Sequence, residues 1–128
     1  MTDTEKITIN MSVVDLGKID LLVDQGHFSS RSDLIRTAIR EKLAEYEDTV
    51  KEEVSRRDIS IGVILISRKD LERSRQSGVQ KEYIVVGLLT VASDVTPELA
   101  SETIQSLHVY GVLNASEAVK KALGDRIQ

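Results

Sequence analysis

Polar and apolar residues alternate without a break over Lys6-Ile7-Thr8-Ile9-Asn10-Met11. A period of two predicts a strand, with Ile7, Ile9 and Met11 on one face and Lys6, Thr8 and Asn10 on the other. The spacing then changes to three and four. Val13, Leu16, Ile19, Leu22 and Val23 make one stripe of a helix. Ser12 is its N-cap, Asp15 its capping-box partner and Gly26 its stop. A second helix follows the Ser30 and Asp33 pair and carries Leu34, Ile35, Ala38, Ile39, Leu43 and Tyr46. It is expected to run to about residue 48 and to continue, frayed, through Lys51, Glu52 and Glu53.

The character shifts after a charged stretch over residues 47–58 that is nearly free of core side chains. Ile59 to Ile66, Tyr83 to Val91 and Leu107 to Leu113 are apolar, β-rich runs. Between and after them lie three helical segments: Arg68 to Gln76, Pro97 to Gln105 with Thr96 as N-cap, and Ser116 to Leu123. The order β-α-β-α-β-α favours a small α/β unit with mainly parallel strands. The chain is thus expected to be α+β overall, with an amino-terminal module over residues 1–48, a charged helical linker over 49–57 and an α/β domain over 58–128. Gly62, Gly87 and Gly111 are spaced by 25 and 24 residues, each between aliphatic or aromatic neighbours. Two readings stand: stacked strand-helix repeats, or one small sheet whose strands each hold a glycine where backbones pack closely.

Composition narrows the chemistry. The 128 residues include no cysteine, so disulfides and thiolate metal sites are excluded. His27 and His108 are too far apart for a short metal motif, and no nucleophile, base and acid group together as an enzyme needs. No cofactor is implied. Asp3, Glu5 and Lys6 interrupt any signal-peptide core, and the apolar run from Ile84 to Ala92 is half a membrane span, so a soluble, cytoplasmic protein is expected. Net charge is −4; residues 1–57 hold 9 basic and 12 acidic residues and residues 58–128 hold 8 and 9. A nucleic-acid binder of this balance depends on where its few cations sit.

The polar face of the first strand is the strongest chemical signal. Lys suits guanine O6 and N7, Asn suits adenine N6 and N7, and Thr contacts either. A module of about fifty residues buries too little surface to be secure alone, and a lone strand leaves its backbone unpaired. Two copies solve both problems. Their strands pair antiparallel, four helices close over Ile7, Ile9 and Met11, and Lys6, Thr8 and Asn10 of both copies face the major groove.

Residues 5–48 resemble the ribbon-helix-helix fold of the MetJ, Arc and CopG repressors. The resemblance rests on the alternating strand, the short helix ending at Gly26, and the run Gly26-His27-Phe28-Ser29-Ser30-Arg31-Ser32-Asp33-Leu34-Ile35-Arg36. It implies an intertwined homodimer, base reading by Lys6, Thr8 and Asn10, and a phosphate anchor at the start of the second helix. Ser29, Ser30 and Arg31 stand there, where free N–H groups and a partial positive charge suit an anion. One departure is Val13, where such proteins often begin the first helix with Pro. The two-module layout resembles that of the nickel-responsive members, but a chain with only two histidines and no cysteine does not suit a nickel site of that kind. The expected function is a sequence-specific DNA-binding transcriptional regulator, a repressor by analogy, dimeric through its first strand, with tetramer formation through residues 58–128 as a further option. An antitoxin whose tail neutralises a toxin, and a structural assembly protein that does not bind DNA, are the alternatives.

Overall fold

A computed structural model describes residues 4–128, and the chain divides into two compact units, residues 6–52 and residues 53–128 together with Thr4 and Glu5. The smaller unit holds α1 (Val13–Asp24) and α2 (Arg31–Glu45). Ser12 caps α1 by accepting from the Asp15 amide at 3.2 Å. The helix stops in a left-handed turn at Gly26, φ 84°. The His27 N–H returns to the Leu22 carbonyl and the Gly26 N–H to that of Val23, the pattern in which glycine avoids a Cβ penalty. Ser30 caps α2 through the Asp33 amide.

α2 does not run through to residue 48. Tyr46 leaves helical geometry at φ −104° and ψ 11°, and a new helix, α3 (Glu47–Arg57), restarts at once. Glu47 and Asp48 occupy its first turn and Arg56 and Arg57 its last, which matches the helix dipole at both ends. α3 ends at Asp58 in the left-handed conformation, φ 54°.

The larger unit is a three-stranded parallel sheet in the order β1-β2-β3, formed by β1 (Ser60–Ile66), β2 (Lys81–Val91) and β3 (Ile104–Asn114). α4 (Arg68–Ser77), α5 (Pro97–Thr103) and α6 (Glu117–Leu123) complete it. β2 and β3 begin earlier than their apolar runs suggest, because Lys81, Glu82 and Gln105 pair through their backbones or lie beside residues that do. α5 passes into β3 without a loop. Ile66, Val85, Leu89, Val91 and Leu107 from the strands meet Leu71, Leu99, Ala100, Val119 and Leu123 from the helices in one buried core. Parallel strands need crossover connections, and here each crossover is a helix packed on that core. Thr103, fully buried, donates its hydroxyl to the Leu99 carbonyl at 2.6 Å.

Gly62, Gly87 and Gly111 face one another across the three strands. Their φ angles are 126°, 135° and 129°. A Cβ on Gly87 would stand 2.2 Å from the Gly62 carbonyl oxygen, and one on Gly111 would stand 2.1 Å from that of Gly87. Neither distance leaves room for a side chain.

Candidate nucleic-acid interface

Residues 6–11 form no strand within the single chain, and every one of them is exposed. Ile7 and Ile9 are 74% and 61% exposed, far more than their side chains tolerate in a finished core. Lys6, Thr8 and Asn10 are equally open to solvent. Among the described residues, no hydrogen bond or ion pair joins Lys6, Thr8 or Asn10 to Ser29, Ser30 or Arg31. The shortage of core continues through the unit. Ile19 is its one buried residue among those described, while Val13, Val14, Leu21, Ile39 and Leu43 lie on the surface.

The turn between α1 and α2 gathers Ser29, Ser30 and Arg31. The Ser29 amide donates to an Asp33 carboxylate oxygen at 2.9 Å, and its hydroxyl donates to the same oxygen at 3.2 Å. The Ser30 hydroxyl is occupied as an N-cap acceptor. Asp33 thus already places one anion at this helix start, on Ser29 and not on Ser30 as a reciprocal capping box would have it. Arg31 reaches across to α1. Its Nε and Nη2 donate to the two carboxylate oxygens of Asp20 at 2.7 and 2.9 Å. That fork holds the Asp20 carboxyl below the usual carboxylate range and raises the Arg31 guanidinium further above neutrality. A guanidinium has five donors, so three remain for another acceptor.

Asp20 was not singled out from the sequence. It lies eleven residues from Arg31 on another helix, and no local spacing rule joins them. Phe28, half-buried, lies within the turn, and His27 is exposed. Arg36 and Arg40 are exposed on α2, and among the described residues neither forms an ion pair with Asp33 or Glu41. Among the described residues no group of three or more His, Asp or Glu side chains is placed to hold a metal ion. No helix among them is long and apolar enough to cross a membrane.

No curated protein and no solved structure matches the chain. A sequence model described as the ribbon-helix-helix transcriptional regulator family matches residues 2–120. The match runs well beyond residue 48, where the resemblance in the sequence ended, and takes in all three strands of the α/β unit. The capped α1–α2 pair, the alternating segment ahead of it and a match over nearly the whole length carry one conclusion: the chain belongs to the ribbon-helix-helix family of transcriptional regulators.

Proposed function

We propose that this regulator is a homodimer that reads DNA sequence through a two-stranded ribbon, and that it acts as a repressor in the cytoplasm. Two copies of residues 6–11 pair antiparallel. Lys6, Thr8 and Asn10 enter the major groove, where their donors and acceptors meet base edges. Ser29, Ser30 and Arg31 fix the register by holding a backbone phosphate. The observation that carries this reading is the unfinished core of residues 6–52, in which Ile7, Ile9, Ile39 and Leu43 are all exposed in the single chain. Each such side chain gains about 1.5–3 kcal/mol on full burial, enough for pairing to offset the ordering of a short segment.

Asp20 orients the anchor at an electrostatic cost. Its carboxylate consumes two donors of Arg31 and fixes the plane of the guanidinium. The remaining donors meet a phosphate with little further loss of side-chain freedom. Asp33 competes with that phosphate for the Ser29 amide, so the anchor is electrostatically restrained and affinity depends on both half-sites engaging together. The folded core of the α/β unit speaks against the antitoxin alternative, whose tail orders only on its toxin. Residues 58–128 serve assembly, up to a tetramer.

Binding of duplex DNA measured against salt tests the proposal. Affinity falls steeply as salt rises, because phosphate contacts release counterions. A flat dependence contradicts it and favours the structural assembly protein.

A further inference from the structure

We propose that the helix-free face of the parallel sheet is the surface through which the α/β unit meets a second copy of itself. This deepens the reading that residues 58–128 serve assembly, and it requires nothing of the ribbon.

The sheet has one covered face. Ile64, Ile66, Val85, Leu89, Val91, Leu107, Val109 and Leu113 point to the helices and join or pack against the core. The alternate residues point the other way. On β1 these are Ile61, Val63 and Leu65, which are 58%, 58% and 61% exposed. An all-parallel sheet occurs almost only with both faces covered. Towards its centre the outer face here has the composition of a buried surface but lacks a helix of the core.

Its relief indicates the occupant. The glycine row makes a trough of about 430 Å³ across the strands, floored by the backbone of Gly62, Gly87 and Gly111. Register sets Ile61, Val86 and Tyr110 along one side and Val63, Leu88 and Val112 along the other. Each ridge is one side chain wide, and the trough spans one residue, about 6.6 Å from ridge to ridge. Such a surface is complementary to itself. A two-fold axis lying in the interface, parallel to the trough, seats one ridge of each copy in the trough of the other. The ridges themselves carry no formal charge, and the carboxylate that lines the trough is that of Glu5. Polar groups lie beside these ridges. Arg57 donates to the Tyr110 hydroxyl at 2.8 Å and lies over its ring, and Glu5 and Thr4 also line the trough. An apolar centre with a polar rim is the anatomy of a protein interface. A small ligand is less well served, because the walls offer no buried polar group to orient one.

The native chain has no cysteine, so Val63→Cys in the full-length protein gives a single reporter thiol on an exposed position. The proposal expects this thiol to react with a maleimide about tenfold or more slowly in the concentrated protein than after dilution, as burial at an interface requires. Adding Ile61→Arg restores fast reaction. The protection persists in an Ile7→Asp/Ile9→Asp chain, where loss of DNA binding reports failure of the ribbon separately. A thiol that reacts at the free-cysteine rate at every concentration overturns the proposal. So does slow reaction that Ile61→Arg leaves unchanged, since the protection would then arise elsewhere.

Discussion

Arg31 donates to Asp20 in the single chain, and under the proposed function the same guanidinium also meets a phosphate, so Asp20 bears on how strongly it would bind. Replacing Asp20 with Asn removes a negative charge beside the proposed phosphate site. Tighter binding to all duplex sequences alike is the expected result in a fluorescence titration; weaker binding would mean that orientation by the carboxylate outweighs its repulsion. Arg31→Ala weakens every sequence similarly, whereas Lys6→Ala and Asn10→Ala each relax base preference by about 1–3 kcal/mol, read by selecting bound sites from random DNA. Glycines make a second prediction at this scale. Gly62→Ala meets only the backbone strain of a positive φ, about 1–3 kcal/mol, because nothing lies within 4 Å of its added Cβ. Gly87→Ala meets the same strain and a carbonyl oxygen at 2.2 Å. Chemical denaturation should rank Gly87→Ala clearly below Gly62→Ala. Equal stability would mean that the strands separate at no cost.

Among the elements, caps decide where most helices begin. α4 starts with a complete capping box, in which the Ser67 hydroxyl accepts from the Asp70 amide and the Asp70 carboxylate accepts from the Ser67 amide. These bonds to Ser67 hold the Asp70 carboxyl below its ordinary value. A depressed carboxyl stabilises the fold above its unfolded pKa, about 3.9, and that contribution is lost as pH falls through the lower folded value. Ser67→Ala should cost about 1 kcal/mol at neutral pH and should flatten the acid limb of the stability profile; an unchanged acid limb would assign that limb to other carboxylates. Most helices and the three strands of the α/β unit were legible in the sequence because capping residues and apolar periods are local signals, whereas the strand expected over residues 6–11 does not form in the single chain. The Tyr46 break was not, since Leu43 and Tyr46 sustain the helical spacing through it. The early starts of β2 and β3 were missed for a related reason: Lys81 and Gln105 belong to strands by backbone position and not by apolar character. The Gly62, Gly87 and Gly111 spacing was visible, but that the three stand in register is set by strand pairing, which no local pattern encodes. The Arg31–Asp20 fork escaped on the same ground.

At the scale of the whole molecule, the two units differ in how far they complete themselves. The α/β unit buries a continuous core, while residues 6–52 leave most of their aliphatic side chains in water. Their stability should accordingly differ in kind: unfolding of residues 6–52 is expected to depend on protein concentration, because pairing supplies their core by mass action. A net charge of −4 leaves long-range attraction to DNA weak, so two or more readers bound in one particle suit this chain better than one strong contact. The pairing of residues 6–11 is the hinge of the account, and amide hydrogen exchange across that segment in the DNA-free protein tests it most directly. The single chain gives these amides no strand partner, whereas an antiparallel ribbon bonds alternate residues to the second copy. Slow exchange at alternate positions that is lost on dilution is the predicted result; exchange at the rate of an unstructured peptide, at concentrations where the protein is dimeric, would contradict it.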